Sequence, residues 1–433
     1  MNQDLYIFFG LGIGLILGSA LFLLWLKNFE IAVFFFALTP LISAIFFDNL
    51  PQENVVMDDA TIGIGGTLRA ATLILLGIAG IIKFSLNIPK NKLKVPVHFI
   101  LLSIFLFFSF SSTIYSLDQK FTLIRSGLLF AVFCFLLGLN VWMQENGNLK
   151  KAMNSLFVLA SIIILATLAG TVAVPSRVWW WKLPRLVGLW EHPNTFGSFC
   201  MLTYPILLWK FYTIKSKNKY FILLLIFINM GLHILTGSRT TLLASSAGVL
   251  VWLLLEKNWV KLFSLGIALG IFLVSLLYFA PSSFKRNETS EITDLSSRED
   301  IWKSAEIFIK EKPIFGYGYG VEGKIFQDEL KVDLEGSFIE RNVRQSLHNG
   351  YLSLLVGVGI VGLILWLLTL TFPFIFSITS VFSPEKAYAY FTFVTVIITN
   401  FVESALTGYS LPSDIFYWLA WTILGSILVK NSK

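Results

Sequence analysis

Charge is scarce in this chain: 14% of its 433 residues are Asp, Glu, Lys or Arg, against about 25% in ordinary soluble domains. A solvated surface over most of the length is thereby excluded. Cysteine is nearly absent. Cys134 and Cys200 both sit inside apolar runs, so neither a disulfide framework nor a thiolate metal site is expected. Histidine occurs four times. No pair of acids with metal-site spacing and no Asp-X-Asp element stands in the loops read below as external, which favours chemistry without a metal. The short alternating segments of a closed β-barrel are missing, as are internal repeats and any soluble domain. The stretch Met1 to Asp4 carries no basic n-region, so the apolar run after it reads as a retained span.

Apolar sequence fills the space these absences leave. The chain is 56% hydrophobic, with 41 Phe and 13 Trp. Runs near twenty residues, each long enough to cross a hydrocarbon core, recur throughout. The expected fold is all-α: a polytopic transmembrane helix bundle of about 12–13 spans in one integral-membrane domain, 1–433. Candidate spans lie near 5–26, 29–47, 67–86, 97–114, 121–143, 152–174, 196–213, 220–236, 241–255, 260–280, 350–378, 388–407 and 413–430. The net charge of +7 belongs largely to short loops and is no nucleic-acid signal. Lys90 to Lys94, Lys150-Lys151, Lys215 to Lys219, Glu256 to Lys261, Pro384 to Lys386 and the C-terminal lysines all fall on one side. The positive-inside rule makes that side cytoplasmic. The acidic 48–60 stretch, the 175–195 loop, the turn at 237–240 and the long 281–347 loop then face outward. This orientation also puts the N-terminus outside.

Three external elements hold cations where lipid makes them expensive. The 175–195 loop carries Trp179, Trp180, Trp181 and Trp190 around Arg185. The indoles fit either an interfacial belt or a stacking surface for sugar rings. Thr236-Gly-Ser-Arg239 puts an arginine between two apolar runs with almost no loop. It fits either a snorkelling side chain or a fixed anion site beside helix ends. In the long loop, Ser296 and Ser297 each precede an acid by three residues, the capping-box spacing, while Pro313 and Gly316 end the helix they open. Arg298 lies on the apolar stripe of that helix with Ile301, Trp302, Ala305, Phe308 and Ile309. A buried-face arginine needs an anionic partner: a protein carboxylate, or a phosphate that matches the guanidinium fork. Gly316-Tyr-Gly-Tyr-Gly320 reads as a tight turn packing its tyrosines rather than a phosphate cradle. His348 ends the loop directly before an apolar run, and imidazole is the side chain suited to proton transfer at ambient pH. Arg69 and Arg125, near span starts, have no role assigned from sequence.

The order Arg185-Leu-Val-Gly…His192-Pro-Asn194, then Gly237-Ser-Arg239, then Ser297-Arg-Glu-Asp-Ile-Trp302…Lys312-Pro-Ile-Phe-Gly-Tyr-Gly-Tyr-Gly320, then Leu347-His-Asn-Gly-Tyr-Leu352 resembles the O-antigen ligase/polymerase superfamily. The resemblance covers about Arg185 to Gly362, less than half the chain. It implies a membrane glycosyltransferase of the GT-C group, inverting and metal-independent, that needs no cofactor. Such an enzyme moves a glycan from undecaprenyl diphosphate to an acceptor hydroxyl outside the bacterial cytoplasmic membrane. The acceptor is lipid A-core for a ligase, or a lipid-linked repeat for a polymerase. The family's loop histidine falls on His348. Its diphosphate-binding arginines fall on Arg239 and Arg298, with Arg185 a looser match. Trp180, Trp181, Trp190 and Asn349 are candidate sugar or acceptor contacts. A transporter or flippase is the rival class. It is disfavoured because the strong charges cluster at external ends rather than mid-span.

Overall fold

The computed structural model describes residues 21–45, 64–87, 95–180, 183–215, 217–261, 264, 296–328, 347–404, 406, 408 and 410–431. Among them the protein is all-α, with a single isolated antiparallel bridge between Trp179 and Leu186. The longer helices are α1 (Phe29–Ile45), α2 (Ile64–Asn87), α3 (Val97–Ser111), α4 (Gln119–Gln144), α5 (Asn148–Ala173), α6 (Pro193–Thr213), α7 (Lys219–Leu235) and α8 (Arg239–Glu256). They continue as α9 (Ser296–Glu311), the short α10 (Glu322–Asp328), α11 (Gly350–Ser377), α12 (Pro384–Thr399) and α13 (Pro412–Asn431). Seven described helices are long and apolar enough to cross a membrane, while Lys219–Leu235 and Phe29–Ile42 are shorter apolar segments. Of the thirteen candidate spans, 5–26 and 260–280 lie mostly outside the described residues. The 281–347 loop is described only over 296–328 and at Leu347.

Close backbone approach holds the bundle where lipid supplies no hydrophobic drive. A Cβ added to Gly138 of α4 would sit 2.3 Å from the Gly80 carbonyl oxygen of α2, so any larger residue pushes these helices apart. α13 occupies the centre. Its Tyr417, Trp418 and Trp421 are buried, and their polar atoms donate to the carbonyls of Leu370, Gly408 and Thr369.

The two ends of the bundle differ chemically, along the division the loop charges predict. At one end Lys210 reaches Asn154, Trp209 donates to Glu385, and Glu256 takes hydrogen bonds from Tyr212 and Lys261. Lys386 is buried there and caps the Ile378 and Ser380 carbonyls. At the other end meet the α3–α4 loop, the α7–α8 turn, the 183–192 segment, the α12–α13 loop and the start of α11. Asp118 caps α4 by accepting from Phe121 N and pairs with Lys324 of α10 at 2.5 Å. Leu186 N donates to the Leu235 carbonyl, and Gly350 N to that of Asn400.

α11 is broken. Gly359 has φ 62° and ψ −171°, a conformation only glycine adopts readily. The turn Gly316-Tyr-Gly-Tyr-Gly320 and the residues before it fill the break. Tyr317 N and Gly318 N donate to the Val356 and Gly357 carbonyls, while Ile360 N and Val361 N donate to Pro313 and Ile314. Four backbone groups at the break thereby gain partners outside the helix, as lipid surroundings favour. Tyr317 and Tyr319 are buried, in line with the packing role expected of this turn.

α9 covers Ser296–Glu311, as the capping spacing predicts. Ala305 and Phe308 pack with Tyr317, Val321, Ile325, Leu347 and Val356 in a second apolar cluster under the loop. The short helix α10 carries too few turns for a recognisable period, and it was not anticipated from sequence.

Candidate active site

His348 has a left-handed backbone, φ 48°, which is uncommon for any residue with a side chain. Both neighbours hold it. Leu347 is buried, and its carbonyl accepts a hydrogen bond from Trp302 Nε1 at 3.0 Å. Asn349 is the N-cap of α11, its Oδ1 accepting from Tyr351 N at 3.0 Å and Leu352 N at 3.1 Å. This capping satisfies orphan helix donors and occupies the Asn349 oxygen within the protein.

From the His348 ring a chain of polar side chains crosses the end of the bundle. Nδ1 lies 3.4 Å from Glu403 Oε2. The other oxygen, Oε1, accepts from Asn194 Nδ2 at 2.8 Å. Asn194 Oδ1 in turn accepts from an Arg185 terminal nitrogen at 2.8 Å, and Arg185 Nε donates to the Thr236 carbonyl at 2.7 Å. Arg185 is 5% exposed, so its charge is largely desolvated and gains support from a two-step link to the Glu403 carboxylate. Asn194 sits in the first turn of α6, whose cap is the His192 ring accepting from Asn194 N at 3.2 Å. Thr236 opens the turn into α8, whose first residue is Arg239. Three loops and one helix start are thereby tied to His348.

Arg239 is half-buried at the N-terminus of α8, where the helix dipole and free N–H groups already favour an anion. Gly197 of α6 packs against this turn, with room for no more than hydrogen before meeting Ser238 and Thr241. The backbone of Arg298 stands one turn before Trp302 on α9, while its side chain lies outside the described residues, as do Arg341, Arg344 and Trp181. Trp180 is half-buried, with the Arg185 guanidinium carbon 5.9 Å from its ring centre and the His192 ring edge-on at 5.3 Å. Trp190, by contrast, is buried against Phe196 and Phe199.

The two arginines without a role in the sequence have carboxylate neighbours here. Burial pushes the Glu191 carboxyl above the usual range, and the Arg69 charge opposes that shift. Burial likewise raises Glu322 of α10, with Arg125 opposing. Asp118 moves the other way, because Lys324 bonds its ionised form and Phe121 N adds to the effect. Glu403 and the acceptor role of Asn194 escaped the sequence reading. Glu403 lies near the end of the apolar run read as the span 388–407, and an acid inside an apolar run is a signal that could have flagged it.

Residues 221–367 match the family model described as O-antigen ligase. A protein named O-antigen ligase from Pseudomonas aeruginosa is 29% identical over 217 residues. Both matches support the O-antigen ligase superfamily. The family match runs from α7 into α11 and takes in the last three of the ordered motifs, with Arg239, Arg298 and His348. Arg185, Asn194 and Glu403 lie outside residues 221–367. The match to the relative covers 49% of this chain and 49% of that protein, so the chain spans about half the length of the curated relative it matches. The likeness to O-antigen ligase over these residues, together with the apolar helices, fits a multi-pass bacterial membrane protein.

Proposed function

We propose that the protein is an inverting membrane glycosyltransferase. It moves a glycan from undecaprenyl diphosphate to a hydroxyl of lipid A-core, as an O-antigen ligase, on the external face of the cytoplasmic membrane. The single observation that carries this is the chain His348–Glu403–Asn194–Arg185, which ends beside the helix start bearing Arg239. It supplies a held proton acceptor and a neighbouring cationic surface at the end of an apolar bundle opposite its short lysine-bearing loops.

The chemistry follows from charge. With Glu403 accepting from Nδ1–H, the His348 ring keeps its Nε2 lone pair for a proton. The acceptor hydroxyl attacks the anomeric carbon from the face opposite the leaving group. Its oxygen forms the new glycosidic bond while its proton passes to Nε2. The anomeric C–O bond breaks, and the electron pair leaves on undecaprenyl diphosphate. Arg239, with Arg298, stabilises the charge that grows on that group in the transition state. Arg185 supports the carboxylate from below, since two of its donors are already engaged by the protein. The 281–347 loop is the catalytic loop in this scheme, and Trp180 offers the exposed part of an indole to a sugar.

His348→Ala is expected to abolish transfer from a lipid-linked donor in detergent while leaving protein yield and donor binding intact. Undiminished transfer by that variant sinks the role of His348. Absence of transfer by the native protein in detergent, where no gradient exists, points instead to a transporter. In a deletion strain, lipid-linked polymer should accumulate while the core stays bare. Single repeats on the core would mean a polymerase.

A further inference from the structure

We propose that Trp302 is a positioning residue that sets Arg298 against His348. The inference rests on the roles given to those two residues above. Trp302 lies one helical turn after Arg298 along α9. Its indole N–H donates at 3.0 Å to the carbonyl of Leu347, the peptide group directly before His348. One hydrogen bond therefore links the helix carrying the diphosphate-binding arginine to the residue carrying the base.

The neighbourhood gives that bond leverage. The left-handed backbone of His348 persists only where its surroundings over-determine it. On the far side the Asn349 cap and the Gly350 N bond to Asn400 fix α11. On the near side the structure provides the buried Leu347 side chain and the Trp302 donor. The C-terminal end of α9 is already tied to α11, because Glu311 accepts from the Tyr317 hydroxyl and the Pro313 and Ile314 carbonyls accept from Ile360 N and Val361 N. The indole bond adds a directional link nearer the Arg298 end, where the apolar cluster supplies only non-directional packing. An error of about 1 Å between catalytic groups lowers rates by up to about a hundredfold.

Trp302→Phe keeps an aromatic ring in the cluster and removes the donor together with part of the indole's volume. In full-length protein in detergent, with lipid-linked donor and core acceptor, it should lower kcat by about 10- to 100-fold with donor KM changed less than about threefold. In an Arg298→Ala background the same substitution should lower the residual rate less than about twofold, because there is no arginine left to place. A native kcat in Trp302→Phe, or losses that multiply in the double variant, overturns the proposal. An activity-free measurement separates it from the functional assignment: spin labels at Ile307→Cys and Phe401→Cys, both exposed sites, with Cys134 and Cys200 replaced by serine. Their distance distribution should broaden or shift in Trp302→Phe. An unchanged distribution overturns the positioning role whether or not the protein transfers sugar. Native transfer that survives His348→Ala overturns the functional assignment while this distance result stands.

Discussion

Replacing Glu403 by Gln preserves the size of the side chain and a hydrogen-bonding partner for Asn194, but deletes one negative charge. In the proposed transition state the His348 ring is becoming an imidazolium. A unit charge 3.4 Å away stabilises it by about 5 kcal/mol at an effective dielectric near 20. The two side chains are 32% and 22% exposed, so solvent screening reduces this to about 2 kcal/mol, a roughly 30-fold fall in rate. The loss should appear in kcat, because Glu403 bonds to neither donor nor acceptor in the proposed scheme. Single-turnover transfer from a lipid-linked donor, at saturating acceptor, isolates that step. Glu403→Asp restores the charge at a longer reach and should recover part of the rate. Should Glu403→Gln retain more than about a third of the native kcat, the electrostatic coupling of His348 to Glu403 is refuted.

Asp118→Asn keeps a good helix cap but removes the ion pair to Lys324. Since the folded carboxyl is held below its usual value of 3.8, its stabilisation is present above that value and lost as pH falls through the folded one. Thermal melts should show a deficit of about 0.5–1 kcal/mol at pH 7, given the partial exposure of the pair, and none at strongly acid pH. Glu322 has the opposite sign. Burial raises its carboxyl, so its contribution is largest below the ordinary glutamate range and is lost as pH rises. Glu322→Gln should therefore flatten the melting curve on the neutral side. Gly359→Ala should fail to assemble. The new Cβ would lie 2.3 Å from the Ile314 carbonyl oxygen and the φ of 62° disfavours it, so size exclusion should show aggregate rather than a single species.

Much of the bundle was legible because crossing a membrane imposes length and apolarity, and because lysine-rich loops mark one side. The helix Ser296–Glu311 was legible from its cap and stripe, and His348 from its isolation at a loop end. The polar chain was not. Glu403 contacts residues 55 and 209 positions away, and only the packing of α6, α11 and α12 brings them together. A lone glutamate near the end of an apolar run reads equally well as a charge at headgroup level. Arg69 and Arg125 were opaque for the same reason, since Glu191 and Glu322 approach them from distant segments. The break at Gly359 hides within Val356-Gly-Val-Gly-Ile-Val-Gly362, which reads as uninterrupted membrane helix because glycine is tolerated there.

The stitched break in α11 also ties two stretches of chain to one shape. The Val356 and Gly357 carbonyls and the Ile360 and Val361 N–H groups stand four residues apart in pairs, the spacing at which they would bond each other in a straight helix, and instead they bond residues 313–318. The straight and bent forms of α11 therefore exchange one set of partners for the other, so the segment before the helix can leave the break only as the helix closes behind it.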